Sequence, residues 1–81
     1  MYIAPRVVDA KPFPDYKVKV KFKNGEEGIF DVKPYLNAGT VFKKLQELSY
    51  FNGVKAMFGT ISWYDEVDFD PDRVFIETKR I

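Results

Sequence analysis

The stretch YKVKVKFKNGEEGIFDV, residues 16–32, decides the fold. Tyr16, Val18, Val20 and Phe22 alternate with Lys17, Lys19, Lys21 and Lys23, and a period of two marks a strand with one face buried and the other in water. Asn24-Gly25 follows, and the shortest connection is a two-residue hairpin turn. Parity argues against it. That turn pairs Lys23 with Glu26, which sends Phe30 and Val32 to the lysine face and turns Asp31 inward opposite Val18. A three-residue loop, Lys23-Asn24-Gly25 with Gly25 left-handed, pairs Phe22 with Glu26 instead, so that Val18 meets Phe30 and Tyr16 meets Val32. On the outer face Lys21 then opposes Glu27 and Lys17 opposes Asp31, charge pairs worth a few tenths of a kcal/mol each, roughly.

Working outward, RVVDAKPF reads as an irregular first strand with Val8 and Ala10 inward, ended by Pro12 and Pro14. A meander is the economical arrangement of these three strands. Pro34 suits the first position of a short helical turn. Gly39 and Thr40, the latter as N-cap, introduce VFKKLQEL, whose Val41, Phe42, Leu45 and Leu48 form one helical stripe with Lys43, Lys44 and Glu47 outside. YFNG signals a turn. Two short strands follow, Val54 to Phe58 and Thr60 to Tyr64, joined at Gly59, with Val54, Ala56 and Phe58 on one side of the first and Ile61 and Trp63 on one side of the second. DPDRVFIET closes the chain with Asp70 as N-cap, Pro71 at the first helical position and Asp72 where the helix dipole favours an acid. The expected architecture is a single α+β domain over residues 1–81: an antiparallel three-stranded meander, one amphipathic helix, two further short strands and a short C-terminal helical turn.

Composition narrows the function. A chain of 81 residues buries only about 60% of the surface its unfolded form exposes, which leaves little wall for a deep cleft. Cysteine and histidine are absent, which removes zinc ribbons, redox motifs, thiol nucleophiles and the usual general base near neutral pH. No export signal or long apolar run is evident, and the expected location is the cytoplasm. The net charge is +1 but unevenly spread, basic in the first third and acidic in the last, a split that can orient a partner.

SWYDEVDFDPDRVF, residues 62–75, gathers five carboxylates around Trp63. Asp68, Asp70 and Asp72 have the spacing that opens a calcium loop, but Arg73 stands where that loop needs glycine and Lys79 where it needs glutamate. Asp65, Glu66 and Asp68 could form an acid/base pair only across a groove that so small a core hardly provides. Capping and surface charge explain the cluster more simply, so no catalytic residue, cofactor or metal ligand is assigned. Four lysines on one strand face, with Tyr2 or Phe13 for stacking, suit a nucleic-acid backbone. Trp63 reads first as a core anchor; alternatively Trp63 or Tyr64 centres a protein interface rimmed by Asp65, Glu66 and Asp68.

The order VKVKFKNGEEGIFDV, a helix carrying FKKLQEL, then YFNGVKAMFGTISWYDEVDFDPDRVF resembles the small bacterial proteins of the domain of unknown function 2442 family. Its marks fall on Phe22, Gly25, Asp31, Phe42, Leu45, Phe51, Trp63, Asp68, Pro71 and Phe75. The resemblance implies a compact α+β fold, and an association with small toxin-like neighbours or with helix-turn-helix domains. At Tyr64-Asp65-Glu66 the chain departs from the proline or small residue that relatives carry after the tryptophan. The expectation that ranks first is a non-enzymatic protein-binding module, the antitoxin-like partner of a toxin-like protein, using Trp63, Tyr64, Asp65, Glu66 and Asp68 toward a basic surface. Nucleic-acid binding by Lys17, Lys19, Lys21 and Lys23 ranks second, and a small acid/base or metal-assisted enzyme third. A membrane is not expected as a partner, and an open strand edge could pair two copies.

Overall fold

A computed structural model describes residues 4–81. β2 (Lys17–Phe22) and β3 (Glu27–Asp31) pair antiparallel in the expected register, Val18 opposite Phe30, Lys17 opposite Asp31 and Lys21 opposite Glu27. The Phe22 N–H donates to the Glu26 carbonyl at 2.8 Å and the Gly25 N–H to the Phe22 carbonyl at 2.9 Å. Gly25 has φ 94°, the left-handed conformation the three-residue loop requires. Val18, Val20, Phe22, Phe30 and Val32 are all buried.

β1 (Val7–Phe13) completes the meander but differs from expectation at two places. A bulge between Val7 and Asp9 advances the parity by one residue, so Val7 is buried and Val8, expected inward, is exposed. Pro12 does not end the strand; it lies within β1 opposite Val18, tolerated because β1 is at the edge of the sheet.

A 3-10 turn runs over Lys33–Tyr35 with Val32 as N-cap, so Pro34 takes its second position rather than the first. The amphipathic helix expected next is a 3-10 segment, Thr40–Gln46, followed by the short α1 (Leu48–Phe51). Gly39 precedes the first turn and no side chain caps it, so Thr40 is not the N-cap. With three residues per turn only positions three apart share a face, which aligns partly buried Phe42 with buried Leu45 and leaves Val41 outside. Extended backbone at Glu47 then turns Leu48 to solvent, so the four-residue stripe is broken at both ends.

β4 (Val54–Met57) and β5 (Thr60–Trp63) form a hairpin with Val54 opposite Trp63. Its two turn residues, Phe58 and Gly59, are both left-handed, and Phe58 is 81% exposed rather than on the inward side with Val54. β6 (Val67–Asp68) adds to β5. α2 (Pro71–Glu77) starts as expected, with the Asp72 N–H donating to Asp70 Oδ1 at 3.0 Å. After it β7 (Lys79–Arg80) pairs with β3, so the meander is a four-stranded sheet, β1-β2-β3-β7, facing a three-stranded one, β4-β5-β6. The inward faces of both share one core, an α+β architecture. Phe69 is central to it, its ring 5.2 Å from Phe30, 5.3 Å from Phe42 and 5.8 Å from Trp63.

Candidate functional site

The acidic stretch begins on β5, where parity points Trp63 inward. Its side chain is fully buried, between the rings of Phe51 and Phe69, and Nε1–H donates to the Phe51 carbonyl at 2.8 Å. Of the two roles open to it from sequence, core anchor or interface centre, Trp63 takes the first and leaves the surface to its neighbours.

Tyr64 and Asp65 form the turn between β5 and β6, with φ 54° and 60°, closed by the Glu66 N–H donating to the Trp63 carbonyl at 2.9 Å. Neither is glycine or asparagine, the residues that adopt two successive left-handed positions at little cost. The strain is balanced by what lies beneath. The Tyr64 ring packs on Tyr50 with centroids 4.9 Å apart, and its hydroxyl end covers Gly53 so closely that a Cβ there would collide with it. Tyr50 Oη–H donates to Glu66 Oε1 at 3.0 Å, sharing its one proton with the Trp63 carbonyl at 3.3 Å, while Lys44 Nζ donates to Glu66 Oε2 at 3.2 Å. Tyr64 itself is 59% exposed.

The electrostatics follow from those contacts. Desolvation, reinforced by the Glu66 carboxylate, pushes the Tyr50 phenol up to about 12. The hydrogen bond from Tyr50, and then Lys44, hold the Glu66 carboxyl below its ordinary value. Tyr50 is thus a neutral donor and Glu66 an occupied carboxylate across the physiological range. The remaining acids go elsewhere. Asp70 caps α2, Asp68 lies on β6 opposite Ser62, and Asp65 is exposed at the tip of the turn. Among the described residues no three carboxylates come together where they could hold a metal ion.

The turn walls two open grooves. Thr40, Val41, Lys44, Glu66 and Val67 line one of about 440 Å³, largely apolar, and Gly53, Lys55, Met57, Ser62, Tyr64 and Asp65 line another of about 250 Å³. Lys44, Tyr50 and Gly53 prop the turn, a role that neither the outer helix face of Lys44 nor the turn signal over residues 50–53 revealed. YFNG signalled only a turn there, and nothing local marks Tyr50 as facing a residue 14 positions later.

On the lysine face the register holds but the ion pairs differ. Lys17 Nζ turns to Asp15 at 3.2 Å rather than to Asp31, and no ion pair joins Lys21 to Glu27. Lys23 lies in the turn beyond β2, its N–H bound to the Arg6 carbonyl. No helix among the described residues is long and apolar enough to cross a membrane.

Comparison with known proteins gives one assignment. The family model described as "Protein of unknown function (DUF2442)" matches residues 7–75. No curated protein and no solved structure matches.

Proposed function

Since the chain belongs to the DUF2442 family of proteins of unknown function, we propose that it is a non-enzymatic protein-binding module of the bacterial cytoplasm. It presents Tyr64, Asp65, Glu66 and Asp68 to a partner with a basic surface, as the antitoxin-like half of a pair. The observation that carries this reading is the exposed Tyr64 held in a left-handed turn. A fold that needed only a connection between β5 and β6 is served by Asn-Gly at lower cost. An aromatic ring fixed in place by Tyr50 and Gly53, beside carboxylates and an apolar groove, has the composition of an interface hot spot, and its rigidity lowers the entropy lost on binding. The non-enzymatic part rests on Tyr50 and Glu66, which satisfy each other and leave neither free to exchange a proton near neutrality.

The test is co-purification of the tagged chain with the product of the adjacent gene. Tyr64→Asn keeps the left-handed preference while removing the ring, and Asp65→Lys reverses the rim charge. Each is expected to weaken the complex at least tenfold, about 1.4 kcal/mol, with an unchanged circular dichroism spectrum. Folded variants that hold the partner as tightly as the parent chain overturn the reading.

A further inference from the structure

The outward face of the four-stranded sheet arranges its side chains in rows across the strands. One row runs Asp9, Lys21, Glu27; another runs Phe13, Lys17, Asp31. Between them lies a row of different character: Lys11 directly opposite Lys19, then Ile29, then Lys79. It contains no carboxylate, and none of its three lysines takes part in the ion pairs found among the described residues. Like charges directly opposite each other destabilise a sheet, so Lys11 and Lys19 are placed against the interest of the fold alone. Strands lie about 4.8 Å apart, which makes the row a cationic line of roughly 14 Å.

We propose that this row is a track for the phosphate backbone of a single-stranded nucleic acid, with Phe13 beside it as a stacking platform. Charge pattern selects this occupant. Carboxylates in the flanking rows repel a flat anionic surface such as a membrane, whereas a thread of phosphates runs along the row between them. Duplex DNA is a poor match, because its major groove admits a helix or a two-stranded ribbon and not the breadth of a four-stranded sheet. Phe13 is 45% exposed and lies in the adjacent row opposite Lys17, where a base lifted from the backbone meets an aromatic face. Lys23 falls outside this surface, and Tyr2, the other aromatic considered, lies outside the described residues. The surface is separate in sequence and in sheet from the Tyr64 turn, so it stands or falls apart from the protein-binding reading.

The experiment is fluorescence anisotropy of labelled oligothymidylate titrated with the chain over a range of salt. Three phosphate contacts give a slope of log K against log salt of about −2. Lys19→Glu converts the like-charged pair into an opposite-charged one. It is therefore expected to lower affinity tenfold or more and flatten the slope while raising the denaturation midpoint, an outcome that unfolding cannot mimic. Phe13→Ala is expected to lower affinity about tenfold with the slope unchanged. Absence of salt-dependent binding, equal affinity for a duplex or for anionic vesicles, or a Lys19→Glu chain that binds like the parent would each overturn the proposal.

Discussion

Trp63 and Glu66 stand three positions apart and do opposite things, one closing the core and the other tying a surface turn. Trp63→Ala removes the indole from between Phe51 and Phe69 and leaves the Phe51 carbonyl without its donor. It is expected to cost about 3–5 kcal/mol, measured by urea denaturation; a loss well below that range would contradict the core assignment. Glu66 governs pH response instead. Its carboxyl titrates below the ordinary 4.5 in the fold, so its contribution to stability is present above that value and is lost as the pH falls through and below it. Glu66→Gln should flatten that acid-side decline. Tyr50 has the opposite sign. Its phenol is raised from 10.0 to about 12, so its contribution is intact below 10 and disappears as the pH climbs toward 12. Alkaline titration of tyrosinate absorbance should show a component near the upper value, and Tyr50→Phe should remove it.

At the scale of elements, legibility followed length and regularity. The alternation in β2 and β3 spans enough residues that only one register satisfies both faces, and that register is the one found. The bulge in β1 was invisible because Val7 and Val8 are both apolar, so either parity fits the sequence. Over residues 40–48 the spacing of Phe42, Leu45 and Leu48 fits three residues per turn as well as 3.6, and two turns are too few to separate them. β6 and β7 are two residues each, below the length at which any periodicity exists. β7 depends on Gly28, where a Cβ would strike the Lys79 carbonyl and the Thr78 methyl. Gly28→Ala is expected to detach β7 at a cost of about 1–3 kcal/mol, seen as faster hydrogen exchange of the Ile81 amide, which donates to Glu27 at 3.0 Å. Conversely, Phe58→Asn places the preferred residue in the left-handed turn before Gly59 and should stabilise the chain by about 1 kcal/mol, read as a higher urea midpoint; an unchanged or lower midpoint would count against it.

For the molecule as a whole, the two sheets are joined by a single cluster in which Phe69 touches Phe30 of one and Trp63 of the other. One shared core predicts one cooperative transition, with tryptophan fluorescence and far-ultraviolet circular dichroism coinciding; separated midpoints would show the sheets unfolding independently. Charge is also settled at this scale. Lys44 reaches Glu66, and Arg80 reaches Glu26 at 3.1 Å while its guanidinium covers Phe75 with the cation 4.3 Å from the ring centroid. Distant parts of an uneven sequence thereby neutralise each other locally, and the Lys11–Lys19–Lys79 row is among the charges that no ion pair takes up. The sequence by itself determined the α+β class, the β2–β3 register and the start of α2, because each rests on neighbours within a few residues whose parity or capping admits one solution. Trp63 as a core anchor was the first reading of the strand pattern and is the one found, whereas only the tertiary structure decided that the Tyr64 ring covers Gly53, that two two-residue strands close the sheets, and which charges stay unpaired. Those outcomes depend on contacts between residues far apart in the chain, which no local pattern encodes.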